Sequence, residues 1–178
     1  MIQFPPIPAW DAFHPLIVHF PIALLLVAPL FIVMGALLQP EKGRAYMFAA
    51  LILMAVGTSA VFVALETGEA AAKLAERTPE INAVLEHHEQ LAELTRVVFS
   101  ALTVLLAAIL LLPRLLRRSS GWLVGRALPL IFLVFYGAGT LLLVNTAHNG
   151  GRLVHEFGVH ALVQPGEPPP AAAAAEGD

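Results

Sequence analysis

Four apolar runs leave this chain few folds to adopt: Leu16 to Leu38, Ala45 to Leu65, a stretch centred on Val97 to Leu112, and Ala127 to Ala147. A bilayer core about 30 Å thick takes roughly 20 residues of helix to cross, and lipid offers no partner for an unpaired backbone N–H or C=O. Helix is therefore the form such runs take. With 58% hydrophobic and 13% charged residues, a chain of 178 residues is too apolar for a soluble domain of its size. The sequence predicts an all-α fold, an integral membrane four-helix antiparallel bundle over residues 1–164, and then a Pro/Ala-rich tail, 165–178, expected to be disordered. No internal repeat is strong enough to argue from.

The connections between the first and second runs (Gln39 to Arg44) and between the third and fourth (Pro113 to Arg126) are short, so each pair reads as an antiparallel hairpin. These two turns hold Lys42, Arg44, Arg114, Arg117, Arg118 and Arg126 against Glu41 alone, six bases to one acid and a net of +5. Everything else outside the runs holds four bases against twelve acids, a net of −8. The positive-inside rule then places the turns in the cytoplasm, and both termini and all seven histidines on the periplasmic side of a bacterial inner membrane. The segment Met1 to Phe13 lacks a basic n-region and no small-residue cleavage site follows the first run, so that run is expected to be retained.

The third helix should begin well outside the membrane. Thr78 suits an N-cap and Pro79 the first helical position, and no Gly or Pro interrupts the run until Pro113. At 1.5 Å per residue, Pro79 to Leu112 is about 50 Å of helix, so the turns bearing His87 and His88 project as a stalk or lean over the mouth of the bundle.

Chemistry has few places to reside. Cysteine is absent, which excludes disulfides, thiolate zinc sites, iron–sulfur clusters and covalently attached haem as intrinsic features. No P-loop, dinucleotide fingerprint, nucleophile elbow or H-E-x-x-H occurs, and nothing indicates nucleic-acid binding. Histidine remains. His14 stands at the entrance of the first span before Pro15, and His19 lies within the same helix, where an imidazole among aliphatics needs a partner or a function. His148 falls in the last turn of the fourth span before Asn149, Gly150 and Gly151, glycines able to end the helix and admit close backbone approach. His87 and His88 point about 100° apart, so at most one faces the bundle, and periodicity does not choose between them. His155 and His160 lie in a short apolar segment, Arg152 to Leu162, expected at the interface as surface residues. Glu66, beside Thr67 and Gly68, either orients a ligand's imidazole or caps the end of the second span. Small residues on the second and fourth spans, among them Ala49, Ala50, Ala55, Gly57, Ser59, Ala60, Gly137, Ala138 and Gly139, allow close helix packing or room for a flat macrocycle.

Neutral imidazoles from several helices at one membrane depth can hold haem iron, copper or zinc. An apolar pocket with few carboxylates suits a bis-histidine b-type haem best.

Three motifs also carry a resemblance: His14-Pro15-Leu16-Ile17-Val18-His19-Phe20-Pro21-Ile22-Ala23-Leu24, then His87-His88-Glu89, then His148-Asn149-Gly150-Gly151-Arg152-Leu153-Val154-His155-Glu156-Phe157-Gly158-Val159. From Phe13 to Leu162 the chain resembles the bacterial four-helix membrane family catalogued as domain of unknown function twenty-two thirty-one. Members are often encoded with, or fused to, c-type cytochrome or Rieske modules, which implies a place in membrane electron transfer. By position the resemblance extends to His14, His19, His88, His148, Gly150 and Gly151; many members have an aromatic residue in place of His155, which sets that residue apart. The expectation is a b-type haem electron-transfer subunit rather than a stand-alone enzyme. Its ligands would be drawn from His14, His19, His88 and His148, around one or two haems. It would pass electrons between a membrane donor such as quinol and a periplasmic c-type cytochrome or larger redox complex. A copper or zinc binding and transport protein, and a structural anchor subunit, are the alternatives.

Overall fold

The computed structural model describes residues 7–116 and 126–159, and every regular element among them is helical. A single 3-10 turn, Trp10–Ala12, leads into α1 (His14–Ile17) and α2 (His19–Leu37), followed by α3 (Pro40–Ala72), α4 (Pro79–Leu115) and α5 (Leu128–His155). The four rods His14–Leu37, Glu41–Ala72, Pro79–Leu115 and Leu128–His155 are each long and apolar enough to cross a membrane. The tail 165–178 lies outside the described residues, as do Arg117 and Arg118.

The break between α1 and α2 has an identifiable cause. Pro21 has no N–H to give the carbonyl of Ile17, where α1 ends, and the next backbone bond, Ile22 N–H to Val18 O, is long at 3.4 Å. Pro29 inside α2 likewise frees the carbonyl of Leu25, and Tyr136 of α5 donates its hydroxyl to that oxygen at 2.6 Å. As expected, α4 starts at Pro79, with Thr78 Oγ1 accepting from Ile81 N–H at 3.3 Å.

Leu25, Ile32, Met54, Phe99, Leu106, Phe132 and Tyr136 form the main core, with the Tyr136 ring edge-on to Phe99 at 5.6 Å between centroids. α1 and α2 together pack along α3, from Gly35 against Gly43 at one end to His14 against Gly68 at the other. Among the small residues of the sequence reading, Ala50, Gly57 and Gly139 are in the packed interior, whereas Ala55, Ser59, Gly137 and Ala138 are exposed. Gly139 sits against Leu102, Val98 and Phe99, while a Cβ at Gly137 would meet nothing.

Two helices outrun expectation. α3 continues seven residues past Leu65 to Ala72, and α5 passes through Asn149-Gly150-Gly151 to His155. Those glycines therefore do not end the helix; the left-handed glycine is Gly158, with φ 64°. Nor does the segment after them lie apart on the interface. Leu153 packs with Ala72, Ile81 and Leu85 into a second small core, with Phe157 and Val159 against it. The outer turns of α4 thus lean on their neighbours instead of standing free.

Candidate functional site

At the end of the bundle where this second core lies, two imidazoles turn inward from different helices. His14 is half-buried, and its Nδ1 lies 2.9 Å from the carbonyl oxygen of Ala64 on α3. A carbonyl only accepts, so Nδ1 carries the proton and donates it. The fully buried Thr67 hydroxyl, 3.3 Å away, is a second acceptor, its own proton being directed at the carbonyls of Val63 and Ala64. Gly68 makes this approach feasible: a Cβ there would come within 2.9 Å of His14 Cε1.

His88 repeats the arrangement on the other pair of helices. Its Nδ1 donates to the carbonyl of Thr146 on α5 at 3.0 Å, and a Cβ at Gly150 would meet His88 Cε1 at 3.0 Å. Thr146 is held in turn by its hydroxyl, 2.8 Å from that of Thr95 on α4. In both cases the accepting carbonyl belongs to the residue four before the glycine.

Because each Nδ1–H is committed to backbone, the neutral ring presents Nε2 with its lone pair. Neither Nε2 has a hydrogen-bond partner among the described residues, and neither is sealed from access.

The other predicted site residues stand elsewhere. His19 is exposed on the outer face of α2, in a shallow groove with Phe20, Ala23 and Leu24. His148 is exposed on α5, as are His87 on α4 and His155 at the end of α5, and His160 lies outside the described residues. Gly150 touches the His88 ring, while Gly151 has open space where a Cβ would be. Glu66 is exposed within α3; it neither ends that helix nor orients an imidazole, a task done by the carbonyls of Ala64 and Thr146. Sequence reasoning missed Gly68, Thr67 and Thr146. A signal for them exists: Gly57-Thr58 is followed eleven residues on by Gly68, and Gly139-Thr140 eleven residues on by Gly150.

Two neutral imidazoles with fixed tautomers suit a metal that needs two protein ligands. Bis-histidine haem iron is such a metal, its other four donors being the macrocycle's own. A catalytic zinc site takes three protein ligands and a structural one four. Among the described residues no group of three or more His, Cys, Asp or Glu is placed to hold a metal ion.

Fold and site together define a small multi-pass, all-helical membrane protein with paired imidazoles at one end. The chain belongs to the family described as Predicted membrane protein (DUF2231), whose profile matches residues 11–162. No curated protein and no solved structure matches it.

Proposed function

We propose that this protein is a membrane-embedded electron-transfer subunit holding a b-type haem at the histidine end of an antiparallel bundle. One observation carries the reading: His14 and His88 enter from separate helices, each with Nδ1–H tied to a backbone carbonyl and Nε2 free. That tie fixes the ring's orientation and raises its basicity, as the outer hydrogen bond of a metal-bound imidazole does. The bound haem would supply a one-electron ferric/ferrous couple.

The protein's own groups do the rest. Helix backbone and glycine hold the two rings in place, and the second core of Ala72, Ile81, Leu85 and Leu153 closes helices around the same end. Charge supports an orientation in the bacterial inner membrane with the basic turns cytoplasmic and the histidines and both termini periplasmic. From there the subunit would take electrons from a membrane donor such as quinol and pass them to a periplasmic c-type cytochrome or larger redox complex. Zinc handling on the same histidines would need a third ligand.

Reduced and oxidised visible spectra of protein purified from haem-replete cells test the reading. A low-spin b-type α band and extractable haem are expected. Their absence, with copper or zinc found by metal analysis, would overturn it.

A further inference from the structure

The two successive pairs of helices repeat part of one pattern of buried positions. In α2 the buried residues Pro21, Leu25, Ala28 and Ile32 fall 74 positions before the buried residues Thr95, Phe99, Leu102 and Leu106 of α4, and His14 falls 74 before His88. In α3 the buried Met47, Ala50, Met54, Gly57, Val61 and Thr67 fall 82 positions before Pro129, Phe132, Tyr136, Gly139, Leu143 and Asn149 of α5, all buried, and Gly68 falls 82 before Gly150. A constant offset thus relates many of the buried positions in each pair of helices, 74 for α2 and α4 and 82 for α3 and α5, although Gly35 and Ala36 of α2 and Thr58, Ala64 and Ala72 of α3 have no buried counterpart. Few side chains are shared: His14 and His88, the Gly57-Thr58 and Gly139-Thr140 pairs, and Gly68 and Gly150 stand out.

Among the matched positions, His14 with His88 and Gly68 with Gly150 build the site. Each half supplies one imidazole, the carbonyl that receives its Nδ1–H, and the glycine its ring rests on. Two half-sites of the same kind, both at the same end of the bundle, can together supply two like ligands.

We infer that the chain binds a single haem between its two pairs of helices, which His14 and His88 would hold, with Gly68 and Gly150 as equivalent positioning residues beside the rings. The inference rests on the haem reading and narrows it. His19 and His148 take no part, because both project from the outer surface of the bundle. The remaining described histidines, His19, His87, His148 and His155, are all exposed.

The test uses the full chain purified in detergent. Pyridine extraction of the wild type should give one haem per chain. His14→Gly and His88→Gly should each lose the low-spin signal, and added imidazole should restore it by entering the vacated space, which also shows that the variant has folded. His19→Ala and His148→Ala should leave both haem content and spin state unchanged. Gly68→Ala and Gly150→Ala, which crowd one ring each, should shift the low-spin electron paramagnetic resonance spectrum in the same sense.

Two haems per chain, or a low-spin signal that survives loss of either His14 or His88, overturns the shared site while the cytochrome reading stands. Unchanged spectra in both glycine variants overturn the positioning role. A wild type without haem removes the cytochrome reading and the shared haem together.

Discussion

Tyr136 illustrates how a single hydroxyl settles a debt left by a proline. Leu25 would ordinarily give its carbonyl to the N–H four residues on, but that residue is Pro29, and in lipid an unpaired carbonyl has no water to turn to. The Tyr136 hydroxyl fills the place from another helix. Tyr136→Phe should therefore destabilise the protein by about 1 kcal/mol, a usual value for one hydrogen bond. In the Pro29→Ala background, where a backbone N–H is again available, the same change should cost much less. Unfolding in mixed micelles of the two single variants and the double variant measures the difference; equal costs in both backgrounds would refute the account. Neither partner is legible in sequence as half of a pair, being 107 positions apart on α2 and α5. The choice between His87 and His88 was hidden for a related reason. Both faces of α4 carry apolar residues, and in lipid the outer face is as apolar as the core. What marks the inward face is its polar and small residues, Thr95 on α4 and Thr67, Gly68, Asn149 and Gly150 on the helices it meets.

At the scale of helices, existence and order were readable while ends and faces were less so. Hydropathy located all four rods, and Thr78-Pro79 gave the start of α4 to the residue, because capping is local chemistry. Helix α5 ran past its glycines because Leu153 beyond them is held by Ile81 and Leu85, a tertiary contact without local signature. His19 drew notice in the sequence because aliphatics flank it, and the structure places it outward, on a helix whose inner face begins at Pro21. Close helix crossings were legible as a composition of small residues but not as a list of sites. At Gly43 the α-carbon faces the Gly35 backbone, so a Cβ there would collide with the Gly35 carbonyl oxygen. Gly43→Ala should then push α2 from α3 and cost roughly 1–3 kcal/mol, the usual range for overpacking. Gly137→Ala, where a Cβ meets nothing, should be neutral or gain up to about 1 kcal/mol from helix propensity. Thermal unfolding of the two variants in one detergent checks the contrast, and a similar response from both would contradict it.

For the molecule as a whole, charge is divided between the two ends. Arg96 and Arg152 are engaged by Glu93 and Glu156, at 2.5 and 2.9 Å, while Glu66, Glu69, Glu86 and Glu89 are exposed and make no ion pair among the described residues. The histidine end is therefore expected to attract a basic soluble partner. Electron transfer to a basic cytochrome should slow as ionic strength rises, and a rate indifferent to salt would point to a partner within the membrane. Both termini are expected in the periplasm, so a phosphatase fused after Asp178 should be active there; activity of a cytoplasm-only reporter at that position would invert the orientation. The shared burial pattern escaped sequence reading because the two pairs of helices agree in which positions are buried far more than in which residues occupy them.

The helices α3 and α4, of 33 and 37 residues, are about 50 and 55 Å long against a hydrocarbon core of about 30 Å. In the proposed orientation the cluster of Ala72, Ile81, Leu85 and Leu153 would stand in water, and the protein would be held together by two different solvents. Below, packing and hydrogen bonds in lipid secure the rods; above, exclusion of water from a few aliphatic groups draws α3, α4 and α5 together over the paired imidazoles. Urea, which weakens the second force and scarcely enters the hydrocarbon, should loosen the collar around His14 and His88 at concentrations that leave the spans intact.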